Sequence, residues 1–553
     1  MVLKNALNSS TKSVSQATVI LAIAVFLSQL LGLFRDRLLA GTFGASLDLS
    51  IYYAAFRIPD FIYSILFAGS VVVAFLPVFA EHYTKDKDEA WQMSNYVLNS
   101  FLFFTFVLIA ILFVFASQFI KLIVPGFDSE AQAKTVALTR LMLLSPLFFG
   151  LSSFFSSVLQ YFNKFLAYSL APLLYNLGII FGVIFLSPKF GIFGAGMGVV
   201  LGAAAHLLVQ VPATINCGFK YRPLFDLRHP AVLKIVNLTF FRSLAASLSQ
   251  INFMVIAAIS SGISLGAVAI FNLSFNLSFL PIGILGVSLA TAAFPRLAQN
   301  WAEGKKEEFY KNFSLAFRQI LFLALPIGIM FFVLREAIVG LILQTGRFGM
   351  RDAALTSACL GIYSFAILPQ CLVPLILRGF FSAKDTKTPA ILAVLFVGLN
   401  VALASGLVSL ASQANLFSSF LRNIFGSDQS PANLKILALC LAFLIALVFQ
   451  FAIFMIFLYK KIGNFKLEEI WQSFWKIFIG GSAIFFFGQY FLAKIASILG
   501  HNFWGDFWQG AIVGGSCFLL YFAITLALGS AEAKSFISGL LSRFKRHGKP
   551  KTN

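Results

Sequence analysis

Charged residues are scarce in this sequence, and their scarcity excludes a soluble globular fold. Only 11% of the 553 residues are charged, whereas 59% are hydrophobic, and the mean hydropathy is +0.89. Soluble domains carry about 25% charged residues. Runs of about 20 apolar residues, enough to cross ~30 Å of hydrocarbon as helices, recur from Ala17 almost to the C-terminus. The composition therefore predicts an all-α polytopic membrane protein.

Signatures of enzymes and of metal or redox sites are also missing. The five cysteines stand apart with no CxxC pair, so neither a disulfide nor a thiolate metal site is expected. The five histidines show no HExxH spacing, and no serine stands in a nucleophile motif. We therefore expect neither catalytic residues nor a cofactor.

Fourteen hydrophobic segments are predicted to form helices. The first segment lacks a signal-peptidase cleavage site, so we expect it to be retained. The predicted bounds are about 15–40, 49–80, 95–122, 136–161, 166–187, 190–217, 236–260, 265–297, 312–344, 353–381, 388–412, 432–459, 474–497 and 507–530.

Lysine and arginine are concentrated in the connections that follow even-numbered segments, such as Lys305/Lys306 and Lys460/Lys461, and in the C-terminal tail from Arg543 to Lys551. The positive-inside rule then places both termini in the cytoplasm. Most of the net charge of +20 belongs to that face, so the basic composition does not indicate nucleic-acid binding. The tail suits contact with anionic lipid.

An internal repeat divides the chain. "FLPVFAEHY" around Pro77 matches "AAFPRLAQN" around Pro295, an offset of 218, and Gln160 meets Arg378 at the same offset. Six segments per unit predict two lobes related by a parallel repeat, followed by two extra helices, a construction typical of alternating-access transporters. A duplicated scaffold could also be structural. The predicted parts are a lobe at 1–218, an interfacial linker at 219–235, a lobe at 236–463, two helices within 464–530 and a basic tail at 531–553.

Charges interrupt the first two segments. The set comprises Arg35, Asp36, Arg37, Asp48, Arg57 and Asp60. Charges near mid-membrane cost ~2.5–3.5 kcal/mol each, so they face a wet cavity or one another. The first segment would exceed the bilayer as one straight helix, and Gly32, Gly41 and Gly44 are predicted weak points. Two hypotheses remain: ion pairs that anchor helix ends, or a ligand site.

The second half repeats the scaffold without these charges. At the offset of 218, Arg35 falls on Phe253 and Arg57 on Phe275. This imbalance favours a site built by the first two segments. Arginine offers bidentate donors to phosphate or carboxylate, so an anionic cargo is predicted. A drug or cation exporter would instead need a buried carboxylate without a neighbouring arginine.

Four motifs resemble the MurJ (MviN) family of lipid II flippases, within the multidrug/oligosaccharidyl-lipid/polysaccharide exporter superfamily. They are "GLFRDRLLAGTFGASLDLSIYYAAFRIPDF", "SSVLQYFNKF", "LPIGILGVSLATAAFP" and "LRGFFSAKDTKTP". The resemblance implies fourteen transmembrane helices in two six-helix lobes around a cationic cavity, and a groove at the last two helices for a lipid tail. It also implies that lipid II, the cell-wall precursor, is moved outward across the bacterial cytoplasmic membrane.

The same resemblance implies functional roles for Arg35, Asp36, Asp48 and Arg57. Two family arginines are replaced here, one by Asn276 and one by Gln29. Asn276 and Arg37, which the commoner pattern lacks, are further candidates for substrate binding.

The implied partners are lipid II and the phospholipid bilayer, with the cell-wall synthesis machinery as a further candidate and the chain acting as a monomer. The alternatives are a drug or cation antiporter, another polyprenyl-linked saccharide flippase of the superfamily, and a non-transporting scaffold.

Overall fold

The fold was analysed in a computed structural model, which describes residues 14–66, 71–425, 430–500 and 502–538. Across these ranges the chain is almost entirely helical and forms no β-strand. Helices suit so apolar a chain because each satisfies its own backbone hydrogen bonds where water is absent. The predicted all-helical class is confirmed. The predicted basic residues from Arg543 to Lys551 lie outside the described residues.

Thirteen helices precede the connection at 217–229 within the described ranges. They are α1 (Val14–Phe43), α2 (Leu47–Ala55), α3 (Arg57–Leu66), α4 (Val71–Lys85), α5 (Lys87–Val114), α6 (Ala116–Ile123), α7 (Ser129–Met142), α8 (Ser145–Tyr161), α9 (Phe165–Ser169), α10 (Ala171–Phe181), α11 (Ser187–Phe190), α12 (Ile192–Leu208) and α13 (Val211–Asn216). A π-helical turn, Gly182–Leu186, joins α10 to α11.

Eleven further helices, with bounds as follows, lie between residues 230 and 527. They are α14 (Pro230–Ser261), α15 (Ala267–Pro281), α16 (Ser288–Ala302), α17 (Lys306–Val333), α18 (Arg335–Ile342), α19 (Met350–Ser382), α20 (Lys387–Ala411), α21 (Leu416–Phe425), α22 (Pro431–Ile462), α23 (Leu467–Leu499) and α24 (Phe503–Ala527). A second π-helical turn, Ile282–Val287, joins α15 to α16, and residues 531–538 are helical.

Long apolar helices dominate the described part of the chain. Eleven of its helical stretches are long and apolar enough to cross a membrane. This confirms a polytopic membrane protein. The predicted segment 49–80 is interrupted at Phe56, where the chain turns between α2 and α3, and its residues 67–70 lie outside the described ranges. Pro59 lies in the first turn of α3, where its missing N–H costs no hydrogen bond.

Helix α1 is uninterrupted for 30 residues, so the chain is not broken at the predicted weak points Gly32 and Gly41. It ends before Gly44, whose φ of +69° is left-handed and whose N–H donates to the carbonyl of Ala40 at 2.7 Å. A glycine in this conformation terminates a helix without steric cost. A helix of this length fits a bilayer by tilting, which removes the need for a break.

The chain divides into two compact units. The first comprises Met1–Asn272, Leu343–Asp352 and Ala393–Gly406, and the second comprises the remaining residues. A core of the first unit is an aromatic cluster that includes Phe75, Phe79 and Phe154. A core of the second unit includes Phe309 and Phe313.

Glycines bring α10 and α12 of the first unit into contact. A Cβ on Gly178 would collide with the backbone of Gly202, and one on Gly182 would lie 2.6 Å from the Cα of Gly198. The glycine-rich stretch 191–202 is therefore a helix-packing motif, as small residues in membrane helices usually are.

A buried ion-pair network holds the C-terminal segment of the second unit. Glu532 is 5% exposed and lies 3.3 Å from Nη1 of Arg318 on α17. It also accepts hydrogen bonds from Ser473 of α23 (3.0 Å) and from Ser530 (2.8 Å). The carboxylate thus has several partners, which a charge removed from water requires.

The internal repeat is visible in the helix bounds. Three consecutive helices recur 217 to 219 positions later in the chain: α4 ends at residue 85 and α16 at 302, whereas α5 and α6 begin at 87 and 116 and α17 and α18 begin at 306 and 335. Equal lengths accompany the shift, since α5 and α17 both have 28 residues and α6 and α18 both have eight.

Candidate substrate site

Arg35 and Asp36 of α1 form a hydrogen-bonded ion pair. Nε and Nη2 of Arg35 donate to Oδ1 of Asp36 at 3.0 and 2.8 Å. The side chain of Asp36 is 5% exposed and that of Arg35 is 23% exposed. The pairing hypothesis is therefore confirmed for these two residues, and the charge of Arg35 is balanced within its own helix.

Asn176 of α10 is the second hydrogen-bond partner of Arg35. Its Oδ1 accepts a hydrogen bond from Nη1 of Arg35 at 3.1 Å. Its Nδ2 lies within hydrogen-bond distance of the carbonyls of Ser28 (3.2 Å) and Pro172 (3.1 Å). Sequence reasoning missed this residue, although an amide inside an apolar segment is the signal that could have found it.

Arg57, the first residue of α3, is buried in a different environment. It is 7% exposed, and its Nη2 donates a short hydrogen bond to Oδ1 of Asn272 on α15. The guanidinium carbon lies 5.3 Å from the centroid of the Phe253 ring. Within the described part of the chain, Arg57 forms no ion pair and its Nε has no hydrogen-bond partner. The positive charge is thus held by neutral groups.

This arrangement gives the first unit a buried cation that has no ion-pair partner among the described residues, although Asp60 attracts it electrostatically. A charge in such surroundings is costly unless an anion pairs with it. An amide and an aromatic ring orient the guanidinium, while its charge and its free Nε donor remain available. The geometry therefore suits a phosphate or carboxylate ligand. The roles of Asn272 and Phe253 were not predicted, because both are distant from Arg57 in the sequence.

Asp60 does not pair with Arg57, although three positions on one helix would permit it. Its carboxylate has neither a hydrogen bond nor an ion pair among the described residues. It lies instead in the wall of a separate cavity of the first unit. Asp60 thus forms no direct ion pair among the described residues, although Arg57 attracts its carboxylate electrostatically.

Asp48 lies in the first turn of α2, where a carboxylate interacts favourably with the helix dipole. It is exposed, and the turn is capped by Ser46, whose Oγ accepts from the N–H of Leu49 at 3.5 Å. Arg37 is partly buried on α1. Asn276 is also partly buried, one turn beyond Asn272 on α15, and it belongs to the second unit.

Close backbone contacts join the C-terminal end of α1 to neighbouring loops of the first unit. The N–H of Arg347 donates to the carbonyl of Gly41 at 2.8 Å. A Cβ on Gly346, whose φ is +52°, would collide with Gly41, and one on Gly266 would collide with the carbonyl of Ala45. We call these the glycine contacts. They close the unit at this end of α1.

No metal-binding cluster of three or more His, Cys, Asp or Glu side chains occurs in the ranges that the structure describes. The residues available to a ligand are thus arginines, amides and aromatic rings.

Comparisons with known proteins agree with this architecture. Curated relatives named probable lipid II flippase MurJ include one from Borreliella burgdorferi, 26% identical over 438 residues that cover 79% of this chain and 83% of the relative. Another, from Buchnera aphidicola subsp. Acyrthosiphon pisum, is 28% identical over 487 residues that cover 84% and 95%.

Two solved structures show the same fold. "Lipid II flippase MurJ, inward closed conformation" superposes with a TM-score of 0.71 at 24% identity, covering 94% of this chain and 100% of that one. An inward-facing multidrug resistance MATE family transporter of the MOP superfamily gives 0.62 at 13% identity, covering 81% and 99%. The family described as lipid II flippase MurJ matches residues 39–503. Because this match covers most of the sequence, the chain belongs to the lipid II flippase MurJ family.

Proposed function

We propose that this chain moves lipid II from the inner to the outer leaflet of the bacterial cytoplasmic membrane by alternating access. Family membership and the curated relatives named lipid II flippases support the substrate. The observation that carries the proposal for the site is the buried guanidinium of Arg57, which has no carboxylate partner among the described residues.

A diphosphate would supply the missing counterion at Arg57. At ~4 Å and an effective dielectric near 20, one such pair contributes about 4 kcal/mol before desolvation is subtracted. The hydrogen bond to Asn272 uses one guanidinium N–H. The remaining donors, Nε included, then bind phosphate oxygens.

Arg35 has a different role, because Asp36 already balances its charge. Three of its five N–H groups donate to Asp36 and Asn176, which leaves two for a ligand. We assign Arg35 to orientation of the diphosphate, and Asp36 to fixing the guanidinium plane. Asp48 acts at the exposed start of α2, and Arg37 and Asn276 complete the substrate-binding set.

The proposed topology has fourteen transmembrane helices with both termini in the cytoplasm. Two six-helix lobes, 1–218 and 236–463, are joined by the interfacial linker 219–235, and a groove formed within 464–530 holds the lipid tail. Residues 531–553 form the basic cytoplasmic tail. The chain acts as a monomer, with the cell-wall synthesis machinery as a partner. In this topology the glycine contacts of the first unit face outward.

A complementation experiment tests the site. Arg57→Ala and Arg57→Lys are expressed in a strain depleted of its own lipid II flippase, with Arg228→Ala, which removes an exposed arginine, as the matched control. Arg57→Ala should abolish rescue at normal expression, and the control should rescue fully. Arg57→Lys should rescue partially, because lysine keeps the positive charge but lacks the bidentate N–H donors of the guanidinium.

Reconstituted protein gives the direct measurement. Translocation of lipid II in proteoliposomes should fall at least tenfold for Arg57→Ala and remain unchanged for Arg228→Ala. Translocation by Arg57→Ala at the rate of the unmodified chain would remove Arg57 from the site. Absence of translocation by the unmodified chain, with or without an imposed membrane potential, would refute the function itself.

A further inference from the structure

A cavity of about 250 Å³ lies inside the first unit, in the neighbourhood of Arg35 and Arg57. Helices α3, α8, α10 and α12 supply most of its wall, and neither arginine lines it. The side chains that matter here are Asp60, Tyr63, Phe149, Tyr175 and His206. The proposed movement of lipid II does not use this cavity.

Asp60 gives the cavity a negative charge. The carboxylate is partly buried and makes no hydrogen bond or ion pair within the described residues. Arg57, one helical turn away, is directed to Asn272 and Phe253 instead. No lysine or arginine occurs among the residues that line the cavity. Arg57 attracts this carboxylate electrostatically, but no cation among the described residues forms an ion pair with it.

His206 adds no positive charge to the wall. Its Nδ1 lies 2.6 Å from Oγ of Ser152. The same hydroxyl lies 3.3 Å from the backbone carbonyl oxygen of His206. The amide Nε2 of Gln210 donates to the same Oγ, and its Oε1 accepts from Ser156 at 2.8 Å. The direction of the bond between Oγ and Nδ1 depends on the tautomer of the imidazole. Partial burial beside the Phe149 ring disfavours the charged form of this imidazole.

Aromatic rings form the rest of the wall. The Phe149 ring contacts those of Tyr63, Tyr175 and His206, with centroid distances of 5.6, 5.1 and 5.3 Å in edge-on geometry. Ring faces carry negative potential and attract cations, and a carboxylate among several rings is a recurrent design for ammonium groups.

The donor set and the size of the cavity favour an organic cation over a metal ion. A hard cation such as Ca²⁺ takes six to eight oxygen ligands, whereas this wall offers one carboxylate and a few hydroxyls, including Ser145. A cavity of about 150 Å³ already accommodates benzene. The larger volume here fits an ammonium group with a short apolar substituent.

We propose that this cavity binds a small organic ammonium ion, with the carboxylate of Asp60 as its counterion and the rings of Tyr63, Phe149 and Tyr175 as its walls. Neither arginine lines the cavity, so the proposal does not depend on the proposed transport of lipid II. It gives the chain a second ligand class, opposite in charge to the first.

A matched pair of probes tests the proposal. Choline and its uncharged isostere 3,3-dimethyl-1-butanol are titrated against the full-length chain in detergent, and the thermal unfolding midpoint and the heat of binding are recorded. Choline should stabilise the protein in a saturable manner, and the isostere should not. Equal effects of the two compounds, or no effect of choline, would overturn the assignment of a cation site.

Variants identify the location. Asp60→Asn should weaken choline binding at least tenfold and Phe149→Leu several-fold, whereas Glu130→Gln, which neutralises an exposed carboxylate of α7, should not change it. Phe149→Leu keeps the site testable if Asp60→Asn fails to fold. Undiminished binding by the folded variants would place the site elsewhere. Stabilisation by sodium chloride that requires Asp60, with none from choline, would show an inorganic cation site and refute the organic class.

Discussion

Asn272 holds the guanidinium of Arg57 without neutralising it. Oδ1 of Asn272 accepts the hydrogen bond from Nη2 of Arg57, while its own Nδ2 donates to the carbonyl of Val268 at 2.6 Å. The second bond fixes which end of the amide faces the arginine. A neutral acceptor in this position orients the cation and leaves its charge for a ligand.

Asn272→Asp should inactivate the site without unfolding the protein. The new carboxylate would pair with Arg57 and replace the substrate as counterion, so we expect at least a tenfold loss of lipid II translocation with an unchanged or higher unfolding midpoint. Asn423→Asp, at an exposed position of α21, is the control and should retain activity. Normal translocation by Asn272→Asp would show that Arg57 does not bind the anion.

Asn176→Ala should weaken folding more than transport. The variant removes the acceptor for Arg35 and the amide bonds to α1, which should cost about 1–3 kcal/mol of unfolding free energy. Asp36 still holds Arg35 through two bonds, so translocation should fall only a few-fold. Thermal unfolding in detergent and the proteoliposome assay measure the two effects. Complete loss of translocation at an unchanged midpoint would instead indicate direct contact with substrate.

Gly266→Ala should open the closed end of α1. Its Cβ would collide with the carbonyl of Ala45, whereas nothing lies within 4 Å of a Cβ added to Gly349, so Gly349→Ala is the matched control. A cysteine replacing Phe43, which is 7% exposed, reports opening through its reaction with a membrane-impermeant maleimide. We expect several-fold faster labelling with Gly266→Ala. Equal rates in both backgrounds would contradict a role for the glycine contacts in closure.

Asp385, in the turn between α19 and α20, should stabilise the protein at neutral pH. Burial raises the pKa of this carboxyl, but hydrogen bonds from the Thr388 N–H (3.0 Å) and hydroxyl (2.8 Å), together with Lys461 at 3.5 Å, lower it below its ordinary value on balance. A depressed pKa stabilises the folded state above the unfolded value of about 3.9, and this stability is lost as the pH falls through the folded value.

The comparison of Asp385→Asn with the unmodified chain measures this contribution. The amide oxygen of the variant can still accept from Thr388, but the negative charge that pairs with Lys461 is lost. The variant should therefore be less stable by about 0.5–1 kcal/mol at pH 7. The difference between the two unfolding midpoints should shrink as the pH falls below ~3.9 and vanish once the pH is below the lowered pKa of the folded state. A difference that persists in acid would show that the effect is not electrostatic.

Much of the architecture was predictable because membrane insertion depends on local hydropathy. The bounds of α19, α20 and α22 lie within a few residues of the predicted segments. The repeat at an offset of 218 could also be recognised from Pro77 and Pro295, which mark α4 and α16. The division of the segment 49–80 at Phe56 was less accessible, because a single turn in an apolar run leaves no hydropathy minimum.

The sequence by itself determined a helical, polytopic, duplicated chain whose first half carries a charge cluster that the second half lacks, because hydropathy and spacing can be counted along the chain. Only the tertiary structure decided which charges are paired. Arg35 forms its ion pair with the adjacent Asp36. Arg57 donates its hydrogen bond to Asn272, 215 residues away, and not to Asp60, three residues away. The physical reason is that packing between helices distant in sequence sets the surroundings of a buried charge, and no local pattern specifies those surroundings.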